Sequence, residues 1–294
     1  MRFQKLIKYS CRERSMSIPS SLFISHWKTP LSSLRRKCSM MKLIKIEHMK
    51  LLFQKSSSAL FITLAVVSTL MAVISKRMFS GAGTNEFVLG YVSLTTGFLF
   101  VLPFFALVIA GAIVANEFTW GTIKFLLIRP VVRTKILLAK YVTSVLFGLY
   151  FLLFYFALSV LLGLIFFGTA GETWETELIK SIGLNYLTVF IEMIMISTFA
   201  FMISSVFRNS SLAIGLSMFI TFSGKTFVQL LAHYNLEWGK YILFANTSLK
   251  QHLEGNRPLF EGTTMGFSIA VLCIYLCLFF AAAWAAFTKR DVSI

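Results

Sequence analysis

This sequence predicts an all-α integral membrane protein with six transmembrane helices preceded by an amphipathic interfacial helix. Three observations carry that fold class. Of the 294 residues, 57% are hydrophobic and only 14% charged, with a mean hydropathy of +0.77; a soluble domain of this length needs far more polar surface. Apolar runs recur near 57–75, 94–116, 141–168, 182–205, 211–231 and 266–287, each long enough to cross about 30 Å of hydrocarbon as a helix. The runs are continuous, without the strand alternation of an outer-membrane barrel.

Residues 1–40 differ from the rest: nine Lys or Arg, many serines and one acid, Glu13. They lack an apolar core long enough for a secretory signal. Two readings stand: an acid-poor organelle-targeting segment, or an extension upstream of an initiator at Met40 or Met41. MKLIKIEHMK reads well as a natural beginning, which favours the second, and either way these residues are expected to be disordered. Residues 41–294 are expected to form one six-span transmembrane domain. In 41–55, Leu43, Ile46, Met49 and Phe53 recur at helical spacing while Lys42, Lys45 and Lys50 supply charge. This is the pattern of a helix lying in the membrane interface.

Charge sets the orientation. With the N terminus inside, segments 1–56, 117–140, 206–210 and 288–294 hold 21 Lys or Arg against 4 acids. The outside segments 76–93, 169–181 and 232–265 hold 6 cations against 7 acids. Cations near membrane ends favour the inside, so both termini and segment 117–140 are expected in the cytoplasm, with the protein in the cell membrane. The formal charge of +16 therefore points to topology and anionic headgroups rather than to nucleic acid. Segment 232–265, the longest outside, carries Trp238, Tyr241, Phe244 and Phe260, and is expected to fold partly as short helices against the membrane. The turn at Arg208–Asn209 is so short that spans four and five must form an antiparallel hairpin.

No catalytic constellation is present in the sequence. Cys273 and Cys277 read as ordinary membrane-helix thiols, and His26, His48, His233 and His252 have no ligand spacing. Ser223 to Thr226 reads SGKT, like the tail of a phosphate loop, but position 219 is Phe where that loop needs Gly. The tetrapeptide also lies within a span. ATP, if it drives this protein, is bound elsewhere.

Two ionisable residues lie inside spans, Glu192 in the fourth and Lys225 in the fifth. Charges in hydrocarbon are costly and usually face a partner or a wet cavity. Counted from the turn near residue 208, one lies 16 residues back and the other 17 forward. At ~1.5 Å per residue both reach the same depth, roughly 25 Å from the turn. They pair, or line one polar cavity, unless they snorkel to the outer interface.

Segment 117–140 holds five cations, Lys124, Arg129, Arg133, Lys135 and Lys140, and one acid, Glu117. Helix formers at 122–127 and 134–140 are separated by Arg129-Pro130, because Pro130 lacks an amide and restricts its neighbour. A short helix, a kink and then span three are expected. Gly121 permits a sharp bend, and Glu117, at the membrane boundary, is placed to bond helix ends or Lys140. Ile123, Phe125, Leu126, Leu127 and Ile128 are too apolar for an ordinary loop; they dip into the interface or meet a protein.

The stretch NEFTWGTIKFLLIRPVVRTKILLAK resembles the first cytoplasmic loop of ABC type-2 export permeases, with Glu117, Gly121, Thr122, Lys124, Leu127, Pro130, Arg133 and Lys140 at the matching positions. The resemblance extends over 41–294 and takes in the interfacial helix, the six spans, the SSVFRNSSLAIG turn, the aromatic outer segment and the closing AAFTKRDVSI. Residues 1–40 have no counterpart. The resemblance implies a permease without enzymatic activity or cofactor of its own. It implies a partner cytoplasmic ABC ATPase that binds ATP and Mg, and a second permease copy in a homo- or heterodimer. It also implies that the helix after span two is a coupling helix, with Glu117, Gly121, Thr122, Lys124, Phe125, Leu127, Arg129, Pro130, Arg133 and Lys140 as the coupling residues. The bacitracin and lantibiotic self-protection branch is the most similar, which implies amphipathic peptide or lipid-linked substrates. An ATPase-independent secondary carrier is the alternative, although such carriers show interrupted spans, repeats or several membrane charges. A lipid-modifying enzyme would need a His, Asp or Glu cluster at a membrane face.

Overall fold

The computed structural model describes residues 40–82, 87–121, 132–169, 175–207, 209–252 and 258–289. The described residues form helices and turns, with no strand among them. Helix α1, Met40–Leu52, is followed by α2, Lys55–Ala82, the first span. Span two is composite: α3 (Val88–Thr95), a 3-10 segment (Thr96–Val101), α4 (Leu102–Ile113) and α5 (Ala115–Thr119). Spans three to five are α6 (Arg133–Phe166), α7 (Thr176–Phe207) and α8 (Ser210–His233). The segment after α8 folds as a 3-10 turn (Glu237–Tyr241), α9 (Leu243–Asn246) and a second 3-10 turn (Leu249–His252). Span six is α10, Met265–Lys289. Among the described residues, six helices are thus long and apolar enough to cross a membrane, and the protein is an all-α, multi-pass membrane protein. The expected residues 1–40 segment lies, apart from Met40, outside the described residues.

Several helices run beyond the apolar stretches that predict them. Span three begins at Arg133 rather than near 141, because the basic turn 133–140 continues the same helix. Span two begins at Val88 and is interrupted, where an unbroken run near 94–116 is expected. Pro103, in the first turn of α4, accounts for the break: it has no amide to donate and its ring crowds the carbonyl four residues back. At the start of the break the Thr95 carbonyl accepts a hydrogen bond from the Tyr155 hydroxyl of α6 at 2.9 Å. Helix α1 starts one residue before and ends three residues before the expected 41–55, and it turns a different face inward. Leu43 and Leu51 are buried, with Glu47 between them on the same stripe, while Phe53 lies beyond the helix and is exposed.

Spans two and four form the middle of the bundle, two-thirds buried over their most apolar windows, whereas spans one, five and six are at most about one-fifth buried. Helix α7 packs on α4, α10, α8 and α6. Outward-facing Ile62, Leu70, Phe219, Leu230 and Ile274 are exposed, as surfaces in contact with lipid chains must be. Asn209 caps α8 by accepting from the Leu212 amide, which fixes the tight hairpin with α7. At the far end from α1, the segment after α8 is tied to α10 by a polar chain: His252 Nε2 to Ser268 Oγ at 2.9 Å, and Ser268 Oγ donating to Asn246 Oδ1 at 2.8 Å.

Candidate functional site

Segment 117–140 has both its ends described. Glu117 lies in α5 and Lys140 in the first two turns of α6, and both are buried, Lys140 at 1% and Glu117 at 3% side-chain exposure. Two such charges persist in a low-dielectric setting only if paired and hydrogen-bonded. They are: Lys140 Nζ donates to Glu117 Oε1 at 3.0 Å, to Glu47 Oε2 at 2.8 Å and to the Ile113 carbonyl at 3.4 Å. Lys50, half-buried, is also paired with Glu117 Oε1. Two acids and two bases from α1, α5 and α6 thus form a neutral clasp that binds the interfacial helix to both ends of the segment. The expected Glu117–Lys140 contact is present. Glu47 and Lys50 join it, and the available signal was Glu47, the single acid of α1, set four residues from Leu43 and Leu51.

Gly121 ends α5 in the left-handed region, φ 66°, as a sharp bend requires. Arg133 opens α6 and donates to the Thr288 carbonyl of α10 at 3.4 Å, while Trp284 Nε1 donates to Thr134 Oγ1 at 3.2 Å. The segment's exit is therefore tied to span six as well. Thr122, Lys124, Phe125, Leu127, Arg129 and Pro130 lie outside the described residues.

The second group lies within the spans. Lys225 Nζ of α8 donates to Glu192 Oε1 of α7 at 2.5 Å, so the equal depth read from the hairpin corresponds to a contact. Glu192 is 9% and Lys225 31% exposed at the side chain, and the ammonium also lies 5.8 Å from the Phe104 ring centre. Glu192 further lines a cavity of about 150 Å³ with Thr96, Gly97, Asn185, Thr188, Ser248 and Lys250 among its walls. Asn185, Thr188 and Glu192 follow helical spacing on one face of α7; that spacing, in an otherwise apolar run, was the signal for the cavity that sequence reasoning passed over. The 3-10 break of span two supplies the opposite wall.

The SGKT stretch is helical throughout and belongs to α8. Its Gly224 faces the Phe244 ring of α9 so closely that a Cβ would sit 2.3 Å from it. Glycine is there because an aromatic side chain packs onto the helix backbone.

A family model described as "Protein of unknown function (DUF2705)" matches residues 77–293, a range that contains Glu117, Lys140, Glu192 and Lys225. The chain is 44% identical over 223 residues to "Uncharacterized protein YhcI" of Bacillus subtilis (strain 168), covering 71% of each. It is 40% identical over 250 residues to "Uncharacterized membrane protein YdbK" of the same organism, covering 84% of this chain and all of that one. With most of its length matched by the family model, this six-span membrane protein belongs to the DUF2705 family.

Proposed function

We propose that this chain is the membrane-spanning permease subunit of an ATP-driven exporter in the cell membrane. Its α1 end faces the cytoplasm, and segment 117–140 docks on a separate cassette ATPase that binds ATP and Mg. The chain works as one of a pair of permease copies and has no ATPase site of its own; an amphipathic peptide or lipid-linked molecule is the substrate. One observation carries this reading: the buried clasp of Glu47, Lys50, Glu117 and Lys140 joins the two ends of the segment to each other and to α1. A docking element must pass displacement to the spans rather than flex away, and ends pinned by buried ion pairs do so. The Arg133 and Trp284 contacts extend the mount to span six. The charge bias and the loop resemblance support the same reading.

The test is copurification with a cassette ATPase encoded beside this chain, together with transport or resistance in a strain lacking both. Phe125→Asp and Leu127→Asp are expected to abolish both partner binding and transport; variants that keep both would show that the segment does not couple.

A second reading, an ATPase-independent secondary carrier, is favoured by the interrupted span two beside the Glu192–Lys225 pair. Vesicles with the purified chain separate the two: uptake driven by an ion gradient without any ATPase supports the carrier.

A further inference from the structure

We propose that the cavity beside Glu192 binds the primary ammonium group of a ligand, in the half of the bundle away from α1. What its polar walls offer decides the chemistry. Thr96 Oγ1 spends its hydrogen on the Ser93 carbonyl at 2.7 Å, and Thr188 Oγ1 spends its own on the Asn185 carbonyl at 3.0 Å. Both hydroxyls therefore turn only lone pairs to the cavity they line. Asn185, a residue only 7% exposed, lines the same cavity, and its side chain has no hydrogen-bond partner among the described residues. Glu192 uses Oε1 for Lys225 and has no second partner among the described residues. The Asn185 amide and the second carboxylate oxygen of Glu192 thus face the cavity with bonding capacity to spare, and a donor-bearing guest can use it.

The walls are rich in acceptors, and Glu192 has one oxygen that Lys225 does not engage, so the fitting group carries several N–H donors, as a primary ammonium does. At about 150 Å³ the cavity admits a short alkylammonium rather than a whole peptide or lipid. Lys250 also lines it but is exposed, where water screens its charge, whereas Glu192 is buried. Lys225, one-third exposed, can yield part of its hold on Glu192 to the incoming ammonium. The site depends on no ATPase, so its failure and failure of the exporter reading are separate outcomes.

The test uses the full chain in neutral-detergent micelles, with Cys11, Cys38, Cys273 and Cys277 changed to Ser and a Ser248→Cys reporter on the cavity wall. The rate of labelling by a neutral methanethiosulfonate is read with n-butylammonium, with n-butanol and with butyrate. Saturating butylammonium is expected to slow labelling about threefold or more, with no slowing by the other two. Glu192→Gln should abolish the protection. Asn185→Ala, which breaks no bond of the ion pair, should weaken it and serves if the Gln variant does not fold. The proposal is overturned if the reporter is unreactive, if butylammonium gives no protection, if butanol or butyrate protects as well, or if protection survives both substitutions.

Discussion

Changing Glu117 to Gln tests the clasp most directly. The side chain keeps its shape but loses its charge, leaving two ammonium groups against Glu47 alone. Lys50, with 34% side-chain exposure, can turn to water; Lys140, at 1%, cannot. Removing one partner of a buried pair costs about 3–5 kcal/mol, and the lower end applies because Glu47 and the Ile113 carbonyl still hold Lys140. Lys140→Met should cost less, about 1 kcal/mol, because Glu117 keeps Lys50 and the apolar replacement needs no solvation. The double variant should be more stable than the summed single effects predict, by over about 1 kcal/mol. Unfolding of purified protein on titration from mild detergent into dodecyl sulfate measures all three. A Glu117→Gln effect within about 0.5 kcal/mol of wild type, or strict additivity, would mean that the four charges are worth no more than a solvated surface pair.

Exchanging the intramembrane charges, Glu192→Lys with Lys225→Glu, should restore folded yield and transport lost in either single variant, since the contact at 2.5 Å is reciprocal; a swap no better than the singles refutes pairing. Gly224→Ala should destabilise by about 1–3 kcal/mol through collision with the Phe244 ring, and adding Phe244→Leu should recover part of the loss in the same titration. Burial holds His48 and His252 below their ordinary 6.5. The unfolded chain then takes up protons first, so stability is full above about pH 6.5 and falls as pH drops through that value. His48 lies against Tyr150 and Phe147, and its buried Nδ1 has no partner among the described residues, so a proton there finds no acceptor. Unfolding midpoints taken from about pH 8 to pH 5.5 should show the decline, and His48→Phe should flatten it; a rise on acidification would contradict the sign.

Depth along the membrane was readable from residue order. Hydropathy marks where a helix lies in hydrocarbon, and the constant rise per residue converts separation into distance, so Glu192 and Lys225 could be matched before any contact was known. The same reasoning located the six spans, the interfacial helix, the tight hairpin at Asn209 and the basic segment from Glu117 to Lys140. A missing amide at Pro103 also made a break in span two foreseeable, although an apolar run alone reads as unbroken.

Lateral neighbours were not readable, because helix faces toward lipid and faces toward other helices are equally apolar. That is why the central place of spans two and four, and the inward turn of Glu47 rather than Ile46 and Met49, needed the tertiary structure. The sequence by itself determined that Glu117 and Lys140 stand at the two membrane boundaries of one segment. Only packing decided that α1 closes over them with Glu47 and Lys50, and that Glu192 faces a cavity as well as Lys225. Rotation about a helix axis leaves depth unchanged, and it is rotation that selects the partners of a buried charge.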